Sequence, residues 1–263
     1  MPTDRSDAAA DPRSPRDRFV TVFGFRPVLA ALGDLGIEID KVLIARGANG
    51  PSVREIVAAA GSRDVPVERV EPHRVKLLAG NGRHDNGVLA DVVAPRMQPL
   101  GDALDVPFPQ RPARILLLDG IRTPANVGML LRTATAAGLD GIVVPHRGTA
   151  GLDPLVVKAS AGTAFRAPVL RCGTSAEAAE RLIEAGYRLV GLAADGATSV
   201  FDAPLDPPVA FVLGSETHGV GPDVAGYVAD WVSIPMPGAV ESLNVSAAGA
   251  VICFELVRRG LAG

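Results

Sequence analysis

The feature that most constrains this 263-residue sequence is a set of short, unbroken apolar runs, each ending at a polar or glycine-bearing stretch. Arg114 to Leu118, Ile142 to Val144, Ala167 to Leu170, Arg188 to Leu192, Val209 to Leu213 and Trp231 to Ile234 have strand length and little apolar/polar alternation. A strand wetted on one face alternates. A strand covered on both faces does not, and helices packed above and below a parallel sheet produce that double burial. Helical patterns do separate the runs. Ala125 to Ala137 stops at Gly138, and Asp153 to Ala161 follows. A third segment is capped by Thr174 or Ser175, carries Glu177 near its positive end and stops at Gly186. Leu243 to Arg259 forms a long closing helix, with Ser242 as its expected N-cap. The expected class is α/β with a mostly parallel sheet.

Residues 19–94 repeat the alternation on a smaller scale. Pro27 to Leu35 and Ser52 to Ala60 read as helices; Val42 to Ala45, Val65 to Val70 and Gly87 to Ala94 read as strands. This predicts a small α/β domain. Residues 95–113 carry Pro95, Pro99, Pro107, Pro109 and Pro112, which suit neither a helix interior nor a central strand. They are expected to link the small domain to a second one over 114–263. Residues 1–18 mix Asp, Arg, Pro and Ala and are expected to form a loose tail. They have no signal-peptide core, and no stretch approaches the ~18 apolar residues of a membrane span. Cys172 and Cys253 are too far apart and too few for a disulfide framework. A soluble, cytoplasmic protein with reduced thiols is expected.

Lys and Arg total 26 against 29 Asp and Glu, a formal net charge of −3. A nucleic-acid binder is ordinarily basic, so the charge argues against one. Only Lys41, Lys76 and Lys158 are lysine, however, which leaves 23 arginines. Arginine favours planar, bidentate phosphate contact over diffuse attraction.

In a parallel sheet, ligands bind outside the carboxyl ends of the strands, and three strand exits here carry unusual residues. After Leu118 comes Asp119 and a helix start with Pro124, Asn126 and Gly128, followed by Arg132, which reads either as a surface ion pair or as a group aimed at the loop side. After Leu213 come Gly214, Glu216, Gly219 and Gly221. This is neither a P-loop nor a dinucleotide fingerprint, because the Lys-Ser/Thr ending and the GxGxxG spacing are missing. His218 reads as a turn residue or a general base. After Ile234, a Pro/Gly turn containing Met236 leads to Ser242, Leu243, Asn244 and Ser246, then to a helix face of small residues. Histidines and carboxylates show no metal-ligand spacing, so no metal is expected. The segment Asn81 to Gly87, which includes Arg83 and His84, reads as a plain turn or as an RNA-contacting loop.

Taken in order, Pro124-x-Asn126-x-Gly128-x-x-x-Arg132, Leu213-Gly214-x-Glu216-x-x-Gly219, and Ile234-Pro235-Met236 with Ser242-Leu243-Asn244-Val245-Ser246 resemble the three motifs of the SpoU (TrmH) family of RNA ribose 2′-O-methyltransferases, within the SPOUT superfamily. The likeness covers about 114–259. The stretch from Phe23-Gly-Phe-Arg-Pro-Val-Leu to the His84 loop resembles, more loosely, the family's small ribosomal-protein-like substrate-binding domain; where relatives show His-Gln-Gly, this chain has His84-Asp85-Asn86-Gly87.

The resemblance implies a second domain with a deep C-terminal trefoil knot, S-adenosylmethionine as cofactor, and a homodimer with its active site near the interface. It implies that Leu213, Gly214, Gly219, Ile234, Met236 and Leu243 hold the cofactor, that Asn126, Arg132, Glu216, Ser242 and Asn244 line the reaction centre, and that Arg83 and His84 touch RNA. It gives Thr217 and His218 no role. Among substrates, the pattern looks most like the branch acting on guanosine in large-subunit ribosomal RNA; transfer RNA and adenosine in ribosomal RNA are the alternatives. A catalytically silent RNA-binding module and a nucleotide-dependent oxidoreductase are the readings from other classes.

Overall fold

The computed structural model describes residues 14–79, 85–238 and 240–261. Arg83 and His84 therefore lie outside the described residues.

The first unit runs β1 (Phe19–Phe23), α1 (Phe25–Gly33), β2 (Ile39–Ala45), α2 (Pro51–Gly61), β3 (Val67–Val70), α3 (Pro72–Leu78) and β4 (Val88–Val93). Its sheet has the order β1-β4-β2-β3; β4 is antiparallel to both β1 and β2, and β2 is parallel to β3. Helix α1 starts two residues before the proline that suggests its first turn. Gly24, at φ 89°, reverses the chain directly out of β1, and a proline is tolerated anywhere in the first turn.

The second unit runs β5 (Gln98–Pro99), α4 (Leu100–Leu104), β6 (Arg114–Leu118), α5 (Pro124–Ala136), β7 (Gly141–Pro145), α6 (Pro154–Ala159), β8 (Val169–Cys172), α7 (Ser175–Glu184), β9 (Arg188–Leu192), β10 (Thr198–Ser199), β11 (Val209–Leu213), α8 (Pro222–Ala225), β12 (Asp230–Ser233) and α9 (Val245–Leu261). Eight strands form one sheet in the order β10-β12-β9-β11-β6-β7-β8-β5, and every pairing is parallel. The continuously apolar runs do occupy its middle: Ile115 to Leu118 and Val209 to Leu213 are all buried.

Two expectations need correction. Residues 95–113 are not an irregular linker throughout, because β5 joins the edge of the large sheet beside β8 and α4 packs behind it. Pro99 is tolerated there since an edge strand can forgo a ladder donor, while Leu100, Ala103 and Leu104 bury an apolar face. Of the expected loose tail, residues 1–13 lie outside the described residues, and the rest is not loose. Pro15–Asp17 forms one 3-10 turn, and Asp17 Oδ1 lies 3.2 Å from His146 Nε2 on the second unit.

Candidate active site

The site is built on two neighbouring strand exits. Leu213 of β11 lies in register with Leu118 of β6, so the two chains leave the sheet side by side. Asp119, the next residue, donates its amide to the Leu213 carbonyl at 2.8 Å. Its buried carboxylate then accepts the Gly221 amide on Oδ2 and the Ser175 hydroxyl on Oδ1, both at 2.6 Å. The loop between Leu213 and Gly221 closes on itself through paired backbone hydrogen bonds between Ser215 and Gly219, at 2.8 and 2.9 Å. Gly214 sits so tightly against the Gly219–Val220 backbone that no Cβ fits there, which gives this glycine a packing reason.

Three of the predicted reaction-centre residues meet directly. Asn126, buried in the first turn of α5, donates from Nδ2 to Glu216 Oε1. Its Oδ1 accepts from Asn244 Nδ2 at 3.2 Å. Asn244 Oδ1 in turn accepts the Ser246 amide at 2.9 Å and the Ser246 hydroxyl at 2.5 Å. A carboxylate from the second motif is thus tied to an amide from the third through an amide from the first.

The same geometry corrects the capping assignment. Helix α9 begins at Val245 rather than Leu243, and Asn244 holds the N-cap position: its side chain takes the Ser246 amide, and its carbonyl takes the Ala248 amide at 2.9 Å. Asn caps a helix as well as Ser does, so residue type alone cannot separate Ser242 from Asn244. Ser242 is exposed in the approach to the helix.

Beside this chain of amides lies a cleft. Its walls include Leu213, Gly214, Gly219, Ile234, Met236 and Leu243, which are the six positions expected to hold cofactor, together with Glu216 and Ser242. Pro235 and Pro237 stop the backbone from continuing β12 here. Two contributors escape motif reasoning. Leu192, Ala193 and Ala194, at the exit of β9, complete one wall; their only sequence signal is the end of an apolar run. Asp119 is the other, marked only as the polar residue that ends the β6 run.

Arg132 is not part of the cleft wall. It is exposed on α5 and has no hydrogen-bond or ion-pair partner among the described residues, so the surface ion-pair reading does not hold. His218 is exposed, its amide held by Ser215 Oγ at 3.1 Å. Among the described residues no group of three or more His, Cys, Asp or Glu could hold a metal ion.

Two family models match the chain: the SpoU rRNA Methylase family over residues 113–254, and RNA 2′-O ribose methyltransferase substrate binding over residues 21–98. This chain belongs to the SpoU rRNA methylase family. A relative, the 23S rRNA (guanosine-2′-O-)-methyltransferase RlmB of Xanthomonas campestris, is 34% identical over 241 residues, covering 91% of this chain and 96% of that protein. The SpoU methyltransferase AviRb from Streptomyces viridochromogenes, solved in complex with AdoMet, matches with a TM-score of 0.62 at 28% identity, over 93% of this chain and 91% of that one. An AdoMet-bound rRNA methyltransferase from Sinorhizobium meliloti matches with a TM-score of 0.59 at 26% identity, over 93% and 88%. SpoU membership makes this chain a methyltransferase.

Proposed function

We propose that this protein transfers a methyl group from S-adenosylmethionine to a ribose 2′-hydroxyl of ribosomal RNA, with guanosine in 23S rRNA as the target. The observation that carries the reading is the hydrogen-bonded line Glu216–Asn126–Asn244 beside a cleft walled by the second and third motifs. The relative from Xanthomonas supports the choice of guanosine.

The cleft suits the cofactor chemically. Leu192, Leu213, Ile234 and Leu243 offer apolar wall for a flat heterocycle, and Glu216 supplies a single carboxylate at the site for a cationic group. S-adenosylmethionine supplies an electrophilic methyl group when bound. The protein's own task is alignment and charge placement, since holding two reactants in line removes much of the barrier to a displacement. Asn126 holds Glu216 in one orientation, and Asn244 holds Asn126. The hydroxyl must lose its proton as it attacks; that proton would pass to solvent water, because a guanidinium is always charged and cannot accept it. Arg132, exposed and without a partner among the described residues, therefore clamps the phosphate beside the target ribose and orients the hydroxyl.

The wider assignment belongs to the same reading: residues 19–94 bind RNA, 114–263 carry the reaction, and the protein works in the cytoplasm without a metal. The return of the chain from β12 into α9 is read as a deep trefoil knot. At Gly249 of α9 the side-chain ends of Leu130 and Leu213 occupy the space a Cβ would take, so α9 packs closely over α5 and β11. A second copy covers the exposed apolar side chains Met129 and Phe254 on the packed pair α5 and α9, giving a homodimer.

The test is to map ribose methylation across ribosomal and transfer RNA in a strain lacking the gene and to restore it with purified protein. One lost and restored guanosine in 23S rRNA is expected. An unchanged map would overturn the reading, and a lost transfer-RNA site would move the substrate.

A further inference from the structure

We propose that the cavity between the first unit and helix α6 receives an unstacked base of the RNA substrate, an assignment that rests on the ribosomal-RNA reading above. The cavity encloses about 620 Å³ and shares no lining residue with the cleft at β11. It is large enough for a small-molecule-sized group. Phe23 and Phe25 line it from the first unit, on either side of Gly24, whose left-handed φ of 89° turns β1 into α1. Leu155 on α6, 62% exposed, lines it from the second unit. Aromatic side chains of this kind hold RNA bases splayed out of a helix by stacking on their faces.

The polar groups at the cavity match a nucleotide. Arg26 is exposed and has no partner among the described residues, which leaves its guanidinium for a phosphate. The Ser52 hydroxyl and the Asn86 amide are likewise uncommitted. Asp153 spends only Oδ1 on the cap of α6, accepting the Leu155 and Val156 amides at 2.9 and 3.0 Å; its Oδ2 can accept from a base N–H. Asn86 is presented from a fixed backbone. It sits at φ 49° in a turn that Asp85 closes by accepting the Gly87 amide at 2.7 Å. Because both units supply walls, a base seated here sets the RNA against the substrate-binding unit and the methyltransferase unit at once.

The test uses the full chain, S-adenosylmethionine, and 23S rRNA from a strain lacking the gene. Arg26→Ala and Asn86→Gly alter exposed side chains, and glycine keeps the positive φ at 86. The double variant is expected to raise KM for RNA about tenfold, while kcat at saturating RNA and cofactor affinity stay within about twofold. Ultraviolet cross-linking of the wild-type complex is expected to place adducts on Phe23 or Phe25. An unchanged KM, or adducts only outside the cavity, would overturn the assignment. Failure of the wild-type protein to methylate that RNA would instead sink the ribosomal-RNA reading, and this one with it.

Discussion

The Asp119 carboxylate accepts the Gly221 amide at 2.6 Å, so the exit of β6 anchors the far end of the loop that leaves β11. A charge-assisted hydrogen bond of this kind is worth about 1.5–3 kcal/mol. Asp119→Ala removes it together with the Ser175 contact. Calorimetry should show cofactor affinity falling about tenfold or more. Unchanged affinity would mean that the loop holds its shape without the anchor.

Arg132→Ala is expected to abolish methylation while calorimetric binding of S-adenosylmethionine stays intact. The side chain is exposed and has no partner among the described residues, so stability should move by no more than about 0.5 kcal/mol. Turnover at the wild-type rate would remove Arg132 from the reaction.

Asn244 has two duties that substitution can separate. Asn244→Ala loses the cap of α9, at about 1 kcal/mol, and also the Nδ2 donor to Asn126. Asn244→Asp keeps a capping oxygen but puts an acceptor where Asn126 Oδ1 needs a donor. Both variants lose the donor to Asn126, so thermal melts should show both destabilised. The cap of α9 is retained only in the aspartate variant, read as its higher far-ultraviolet helical signal, with methylation impaired in both. Full activity in the aspartate variant would show that the Asn126 contact is not needed.

Gly128→Ala sets helix propensity against packing. Propensity favours alanine by about 1 kcal/mol. The new Cβ, however, would stand 2.6 Å from both Ala159 Cβ and the Val156 carbonyl oxygen, and 2.9 Å from the Ser160 nitrogen. Overpacking costs about 1–3 kcal/mol, so denaturant titration should show a net loss; a gain would mean that α6 shifts freely away from α5.

Acid stability should depend on Glu255. Its buried carboxylate accepts Arg258 Nε and Nη2 and Arg259 Nε, each at 2.7 Å. The Arg258 hydrogen bonds, and then Arg259, hold its pKa down to about 2 against the opposing effect of burial. A depressed carboxylate stabilises the fold fully above its ordinary value of 4.5, and that contribution is lost as pH falls towards 2. Melting temperature should fall more steeply between these limits in the wild type than in Glu255→Gln. Parallel curves would show that the pairing contributes nothing.

The middle of the large sheet was legible from one property, because continuous apolar runs have few other uses in a chain of this composition. Its margins were not. Gln98 and Pro99 pair only at an edge, where neither alternation nor apolarity is demanded, so β5 leaves no pattern to read. Ser242 and Asn244 are both capping residues two positions apart, and only the hydrogen bond to Ser246 decides between them. The site residues could be named by motif, whereas the link from Glu216 through Asn126 to Asn244 spans 118 positions of chain. Such a link appears only once the strands are arranged.

Strand β11 is made late yet inserts between β9 and β6. Until residues 209–213 exist, β9 has no neighbour in the sheet, because its partners are β11 and β12 alone. The four-stranded sheet, by contrast, has all its pairings once Val93 is made. During synthesis the strands of the unit proposed to bind RNA are thus complete long before Asn244, proposed to line the reaction centre, is made. On the proposed reading, the order of translation separates grip from chemistry: the first unit is complete while the residues assigned to the reaction are still to be made.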